Sequence, residues 1–76
     1  MMKPSDDWIM LHLPGTAPEM ARQWMDETGV PEWCYTTVRM SIRNRLKVLE
    51  KYRIVQWTGI YHMVTNTAAK IYEAVV

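Results

Sequence analysis

The chain has 76 residues, 49% of them apolar, with four Trp, seven Met and a formal net charge of +1; this composition describes a packed chain and excludes a disordered one. At that length a single domain over residues 1–76 with one modest core is expected, and an active-site cleft with lids has little room, so an enzyme is not expected. The near-neutral total hides a split: residues 1–34 set Lys3 and Arg22 against six acids, net −4, whereas residues 35–76 set seven cations against Glu50 and Glu73, net +5, an asymmetry that points to an anionic partner for the second half.

Ser5 is a good N-cap, and Asp6 and Asp7 follow where the helix dipole favours acids. The apolar run "WIMLHL" and the break at Pro14 and Gly15 predict helix 1 over residues 6–13. Pro18 and Glu19 suit the first turn of a second helix. Met20, Ala21, Trp24 and Met25 form its apolar stripe and Gly29 stops it, giving helix 2 over 18–28. "VPEWCYTT" reads either as a loop or as a helical turn opened by Pro31 that runs on, with Thr36 or Thr37 capping the next helix. Val38, Ile42, Leu46 and Leu49, spaced 4, 4 and 3, predict helix 3 over 37–52, with Leu46 and Leu49 buried under helices 1 and 2. "RIVQWTGIYHMV" is rich in β-branched and aromatic residues around Thr58-Gly59, which predicts strands over 54–57 and 60–64 joined by a tight turn. Thr65 or Asn66 then caps a helix 4 over 66–74, with Ala68, Ile71, Tyr72 and Val75 on one face.

Helix 3 carries the chemistry. With Val38, Ile42, Leu46 and Leu49 inward, its outer face holds Thr36, Arg39, Met40, Arg43, Asn44 and Lys47, and Arg39, Arg43 and Lys47 stand in one row at i, i+4, i+8. A solvated helix face ordinarily alternates signs for i,i+4 pairing, yet no acid occurs between Glu32 and Glu50. A row of cations matches the line of phosphates along DNA, whose released counterions drive binding. Arginine can grip guanine O6 and N7, and asparagine adenine N6 and N7. Arg39, Arg43 and Asn44 are therefore the candidates for base edges, and the hydroxyls of Thr36 and Thr37 for phosphate. Arg45, Lys51 and Arg53 lie off the row, toward phosphate or water. Trp57 stands at the expected tip of the hairpin, where it lies on a sugar-phosphate chain, packs at the core edge or meets a partner.

The remaining reactive residues carry no pattern. Cys34 is the only cysteine, which excludes an internal disulfide and a cysteine-rich zinc site and suits a small buried apolar side chain in a reducing, cytoplasmic setting. His12 and His62 lack ligand spacing, so no metal site is expected. Asp6-Asp7 and Asp26-Glu27 look like helix-end residues, and no phosphate loop or nucleophile motif is present. No catalytic residue, cofactor or small-molecule substrate is expected. No apolar run approaches the ~20 residues of a membrane helix, and "MMKPSDD" has no signal-peptide core.

The blocks "SDDWIMLHL", "TAPEMARQW", "RNRLKVLEKYRIVQ" and "YHMVTNTAAKIYEAV", in that order, resemble small prokaryotic transcription regulators of the winged helix-turn-helix class, particularly archaeal and viral repressor-like ones. The resemblance covers residues 5–75, and its most specific block is "RLKVLEKYRIV". It implies an α+β, mostly helical fold of three helices, a β-hairpin wing and a C-terminal helix. It also implies double-stranded DNA as partner, with helix 3 in the major groove. The chain departs from the family between Gly29 and Thr36, where the family's turn is shorter, and at Tyr52-Arg53, where the family often has glycine. Ile71, Tyr72, Val75 and Val76, with Trp8 and Met10, exceed what one small core needs, and a homodimer through helices 1 and 4 is expected on two half-sites. The rival expectation is a protein–protein module on the same scaffold that docks an acidic partner.

Overall fold

Capping and periodicity place three helices, and non-local pairing decides the rest. The computed structural model describes residues 3–64 and 66–76. The chain is α+β and about half helical. It comprises α1 (Asp6–Leu11), α2 (Ala17–Thr28), a 3-10 turn (Glu32–Cys34), α3 (Tyr35–Lys51) and an antiparallel pair, β1 (Val55–Val64) and β2 (Thr67–Ala74).

Ser5 caps α1 by accepting the Trp8 amide at 3.1 Å. The helix ends at Leu11, two residues short of the expected 13, because Pro14 denies helical geometry to Leu13 and hinders the Met10 carbonyl. At the start of α2 the Thr16 Oγ1 accepts the Glu19 amide at 3.3 Å and donates to Glu19 Oε1 at 2.9 Å, a variant of the capping box. Thr16 is fully buried, and replacing it with alanine removes the acceptor of the Glu19 amide. Thr16→Ala should destabilise by about 1–2 kcal/mol and Thr16→Ser by much less, as denaturant titration would report. Gly29 closes α2 in the left-handed region (φ 72°), its amide donating to the Met25 carbonyl at 2.8 Å.

Of the two alternatives for "VPEWCYTT", the helical turn from Pro31 is the one formed. The Cys34 amide donates to the Pro31 carbonyl at 2.9 Å, and the turn runs directly into α3. The long helix therefore starts at Tyr35 rather than 37, and Thr36 and Thr37 lie in its first turn instead of capping it. At the other end Arg53 takes φ 60°. Its amide donates to the Glu50 carbonyl at 3.0 Å and the Ile54 amide to the Leu49 carbonyl at 2.9 Å, a Schellman closure. The chain thus makes with an arginine the corner for which glycine is the usual residue.

The largest correction lies beyond Arg53. Residues 66–74 do not form helix 4; residues 67–74 are strand β2, and β1 is one strand rather than the hairpin 54–57/60–64. A lone ten-residue strand would leave its backbone groups unpaired, and β2, with Thr67, Ile71 and Tyr72 suited to a pleated surface, satisfies them. The turn lies between the paired Val64 and Thr67, and Asn66 occupies it at φ 64° instead of capping a helix. The proposed cap Thr65 lies outside the described residues. The Thr58-Gly59 signal is absorbed as a bulge. Between the pairs Trp57–Tyr72 and Tyr61–Lys70, β1 carries two more residues than β2, and Gly59 (φ 89°) supplies the conformation that L side chains rarely adopt. The Ile60 amide donates to Thr58 Oγ1 at 3.2 Å.

The core runs from Ile9 of α1 through Met20, Ala21, Trp24 and Met25 of α2 and Cys34 to Val38, Ile42, Leu46 and Leu49 of α3, and is closed by Val55 and Tyr72 from the strands. The α3 phase read from the sequence is the one formed. Gly15, between α1 and α2, exchanges both backbone hydrogen bonds with Tyr72 at 3.0 and 2.8 Å, an isolated antiparallel bridge beside β2 at the base of the sheet. Helix–helix–helix–hairpin with this extra bridge is consistent with a winged-helix-like layout. The dimer expected through helices 1 and 4 has no helix 4 to use, and Tyr72, assigned to that interface, is in the core. Among the described residues no helix is long and apolar enough to cross a membrane.

Candidate nucleic-acid interface

Side chains leave α3 at about 100° per residue, which sorts its polar residues around the axis. With the core stripe inward, Met40, Asn44 and Lys47 point outward, Arg39 and Arg43 turn toward the hairpin, and Ser41 and Arg45 turn toward α1. Exposure agrees: Thr36, Thr37, Met40, Arg43, Asn44 and Lys47 are exposed, while Arg39 is half-buried. The row Arg39, Arg43, Lys47 therefore climbs obliquely from a cleft to the outer face.

That cleft lies between α3, the start of α2 and the hairpin, and encloses about 350 Å³. Arg39, Arg43 and Lys47 line one wall, Tyr61, Lys70 and Tyr72 the other, and no acid contributes. Lys70 is positioned by aromatic packing: its Nζ lies 5.0 Å from the Trp57 ring centroid, and Trp57 meets Tyr61 edge-on at 4.9 Å. Burial pushes the Tyr72 phenol above its ordinary pKa, with Glu50 adding to the shift and Arg43 opposing it.

Four of the six acids of the first half hold side-chain partners away from this cleft, Glu19 through Thr16. Asp6 takes both a 2.8 Å bond from Arg45 Nε and a 2.6 Å bond from Arg45 Nη2. Glu32 pairs with Arg22, whose guanidinium stacks on Tyr35 at 3.9 Å. Glu27 accepts Trp8 Nε1 at 3.0 Å and stands 3.7 Å from His12 Nε2. Among the described residues, Arg39, Arg43, Lys47, Lys51, Arg53 and Lys70 make no ion pair. The positive surface is thus larger, relative to free acid, than the sequence total of +1 suggests.

The Arg45–Asp6 pair corrects the assignment of Arg45 to phosphate or water: it ties α3 to the first turn of α1. Its hydrogen bond holds the Asp6 carboxyl below the usual value of 3.8. A depressed folded pKa gives stability above the unfolded value, lost as pH falls through the folded one. The pair is exposed enough for solvent to screen it, so the effect is small. Asp6→Asn should lower the melting temperature slightly at neutral pH, and that deficit should close as pH falls below 3.8. Parallel thermal melts across pH would measure it.

Trp57 is not at a wing tip. It sits at the hairpin base, half-buried against the core, with Nε1 donating to the Ile60 carbonyl at 3.0 Å. Of its three expected placements the core edge is the one occupied. The hairpin end instead displays His62, Met63, Asn66 and Thr67. Sequence reasoning missed Lys70 and Tyr61, because helix 4 placed Lys70 away from α3. It also missed Trp33, 81% exposed on the turn before α3. No group of three or more His, Cys, Asp or Glu stands close enough to hold a metal among the described residues.

No known family model matches the chain, and no curated protein or solved structure matches it.

Proposed function

We propose that the chain is a winged helix-turn-helix protein that binds double-stranded DNA sequence-specifically, as a transcription regulator of the repressor type. In this proposal α3 enters the major groove, Arg43 and Asn44 meet base edges, Thr36, Thr37 and Met40 lie along the contact, and the hairpin flanks it. One observation carries the proposal: the unpaired cation row of α3 continues to Lys70 across a cleft whose lining contains no acid, while Asp6, Glu27 and Glu32 are bound to internal partners. Such a surface attracts a polyanion and has an orientation. Trp57 supports the surface by holding Lys70 rather than by touching DNA itself.

The test is fluorescence anisotropy of a labelled duplex over a range of salt, with polyglutamate as competitor. If Arg39, Lys47, Lys51 and Lys70 each neutralise a phosphate, log K should fall against log salt with a slope of about −3.6. Polyglutamate at equal charge should compete weakly, since it lacks the regular phosphate spacing. A slope near zero would overturn the proposal. Tighter binding to polyglutamate than to any duplex would transfer this surface to an acidic protein partner.

A further inference from the structure

We propose that Arg39 anchors an oxyanion subsite in the cleft between α3 and the hairpin, and that the group it holds is a phosphate. This deepens the DNA-binding proposal above and rests on it only for the source of the phosphate. Its spacing alone puts Arg39 on the base-reading row. In the fold its Nε is buried and has no hydrogen-bond partner, although a guanidinium N–H removed from water without an acceptor is an uncompensated cost. Its guanidinium carbon lies over the Tyr35 ring, 6.0 Å from the centroid, so an aromatic face borders the side chain without satisfying its donors. It lines both the cleft and the larger neighbouring cavity beside α2.

The missing partner is an acceptor; Glu19 and Asp26 line the cavity on the α2 side of Arg39, whereas on the hairpin side the surroundings specify a negative ligand. Arg43 stands one turn further along α3, Lys70 faces it from β2, and the Tyr61 side chain borders the same space. A guanidinium fork matches a phosphate with two parallel N–H bonds; since the Nε is closed off from water, the Arg39 side chain turns toward the cleft it lines to present that fork. Arg39 also leaves the helix about 100° around from Met40, on the hairpin side. A duplex seated on the outer face would bring its backbone to the cleft, while its base edges face Met40 and Asn44. Arg39 therefore positions the duplex, and base discrimination falls to Arg43 and Asn44.

The experiment follows the Arg39 Nε–H resonance of ¹⁵N-labelled protein, assigned by its loss in Arg39→Lys, during separate titrations with inorganic phosphate and with a short duplex. Duplex affinity of Arg39→Ala is measured on a preferred and a scrambled sequence. The resonance should move on duplex addition. Arg39→Ala should weaken both sequences alike, by roughly tenfold, and lower the salt slope by about one. Arg39→Lys should recover part of the loss as a point charge. Movement with phosphate, in a protein that binds no duplex, would keep the subsite, identify free phosphate as its ligand and defeat the DNA proposal alone. No movement with either ligand would overturn the subsite. So would a loss confined to the preferred sequence with the slope unchanged.

Discussion

Leu46→Ala should leave a chain that is barely folded at room temperature. Leu46 is fully buried at the centre of α3, in the cluster shared with Ile9, Trp24 and Ile42. Truncating such a leucine costs the transfer energy of the lost methyl groups and the cavity they leave, about 2–5 kcal/mol. A chain of this length has roughly 4–11 kcal/mol to lose. In a domain this small each 1 kcal/mol moves the melting temperature by about 4–8 °C, so a fall of more than about 10 °C is expected. Leu49→Ala should behave similarly, and Met40→Ala, on the exposed face, should melt close to the parent. If Leu46→Ala also melts within a few degrees of the parent, the phase of α3 is wrong and the outward cation row is wrong with it.

The second large effect concerns discrimination. Arg43→Ala and Asn44→Ala should each cost about 1–3 kcal/mol on a preferred duplex, because each removes a side chain able to bond two atoms of one base. The same variants should lose far less on a scrambled sequence. Lys47→Ala and Lys51→Ala should weaken both sequences together and reduce the salt slope by about one each. None of the four should shift the melting curve appreciably, since all four side chains are exposed and surface substitutions of this kind contribute about 1 kcal/mol or less. The result is read from paired salt titrations. Equal losses on both sequences for Arg43→Ala and Asn44→Ala would remove base reading from this helix.

Much of the helical half was legible because its signals are local. The 4, 4, 3 spacing of Val38, Ile42, Leu46 and Leu49 fixed the inward face of α3. Gly29 marked the end of α2, and Ser5 the start of α1. The capping box of Thr16 and Glu19 was also present in the sequence and would have started α2 one residue earlier. What escaped depends on partners distant in the chain. Residues 66–74 have a short apolar period that either element can satisfy; β1 decides in favour of strand because its own backbone needs a ladder. Gly59 does take a positive φ, but the register of β2 turns Thr58-Gly59 into a bulge instead of a hairpin loop. Once the strand was missed, Lys70 could not be placed opposite Arg43. Arg45 and Asp6 are 39 residues apart, and no local pattern links them. The Arg39 Nε could be recognised as unpartnered only after α2, α3 and the hairpin had closed around it.

The central claim is that the outer face of α3 and the cleft-facing side of the hairpin form one DNA-binding surface. Backbone amide mapping by ¹H–¹⁵N spectra, as a short duplex is added at low salt, tests it most directly. The largest changes should fall on Met40, Arg43, Asn44 and Lys47 and on Tyr61 and Lys70, while Ile9, Leu11 and Glu27 on the opposite side stay in place. Changes centred on α1 and the end of α2, or spectra unmoved by duplex, would contradict it.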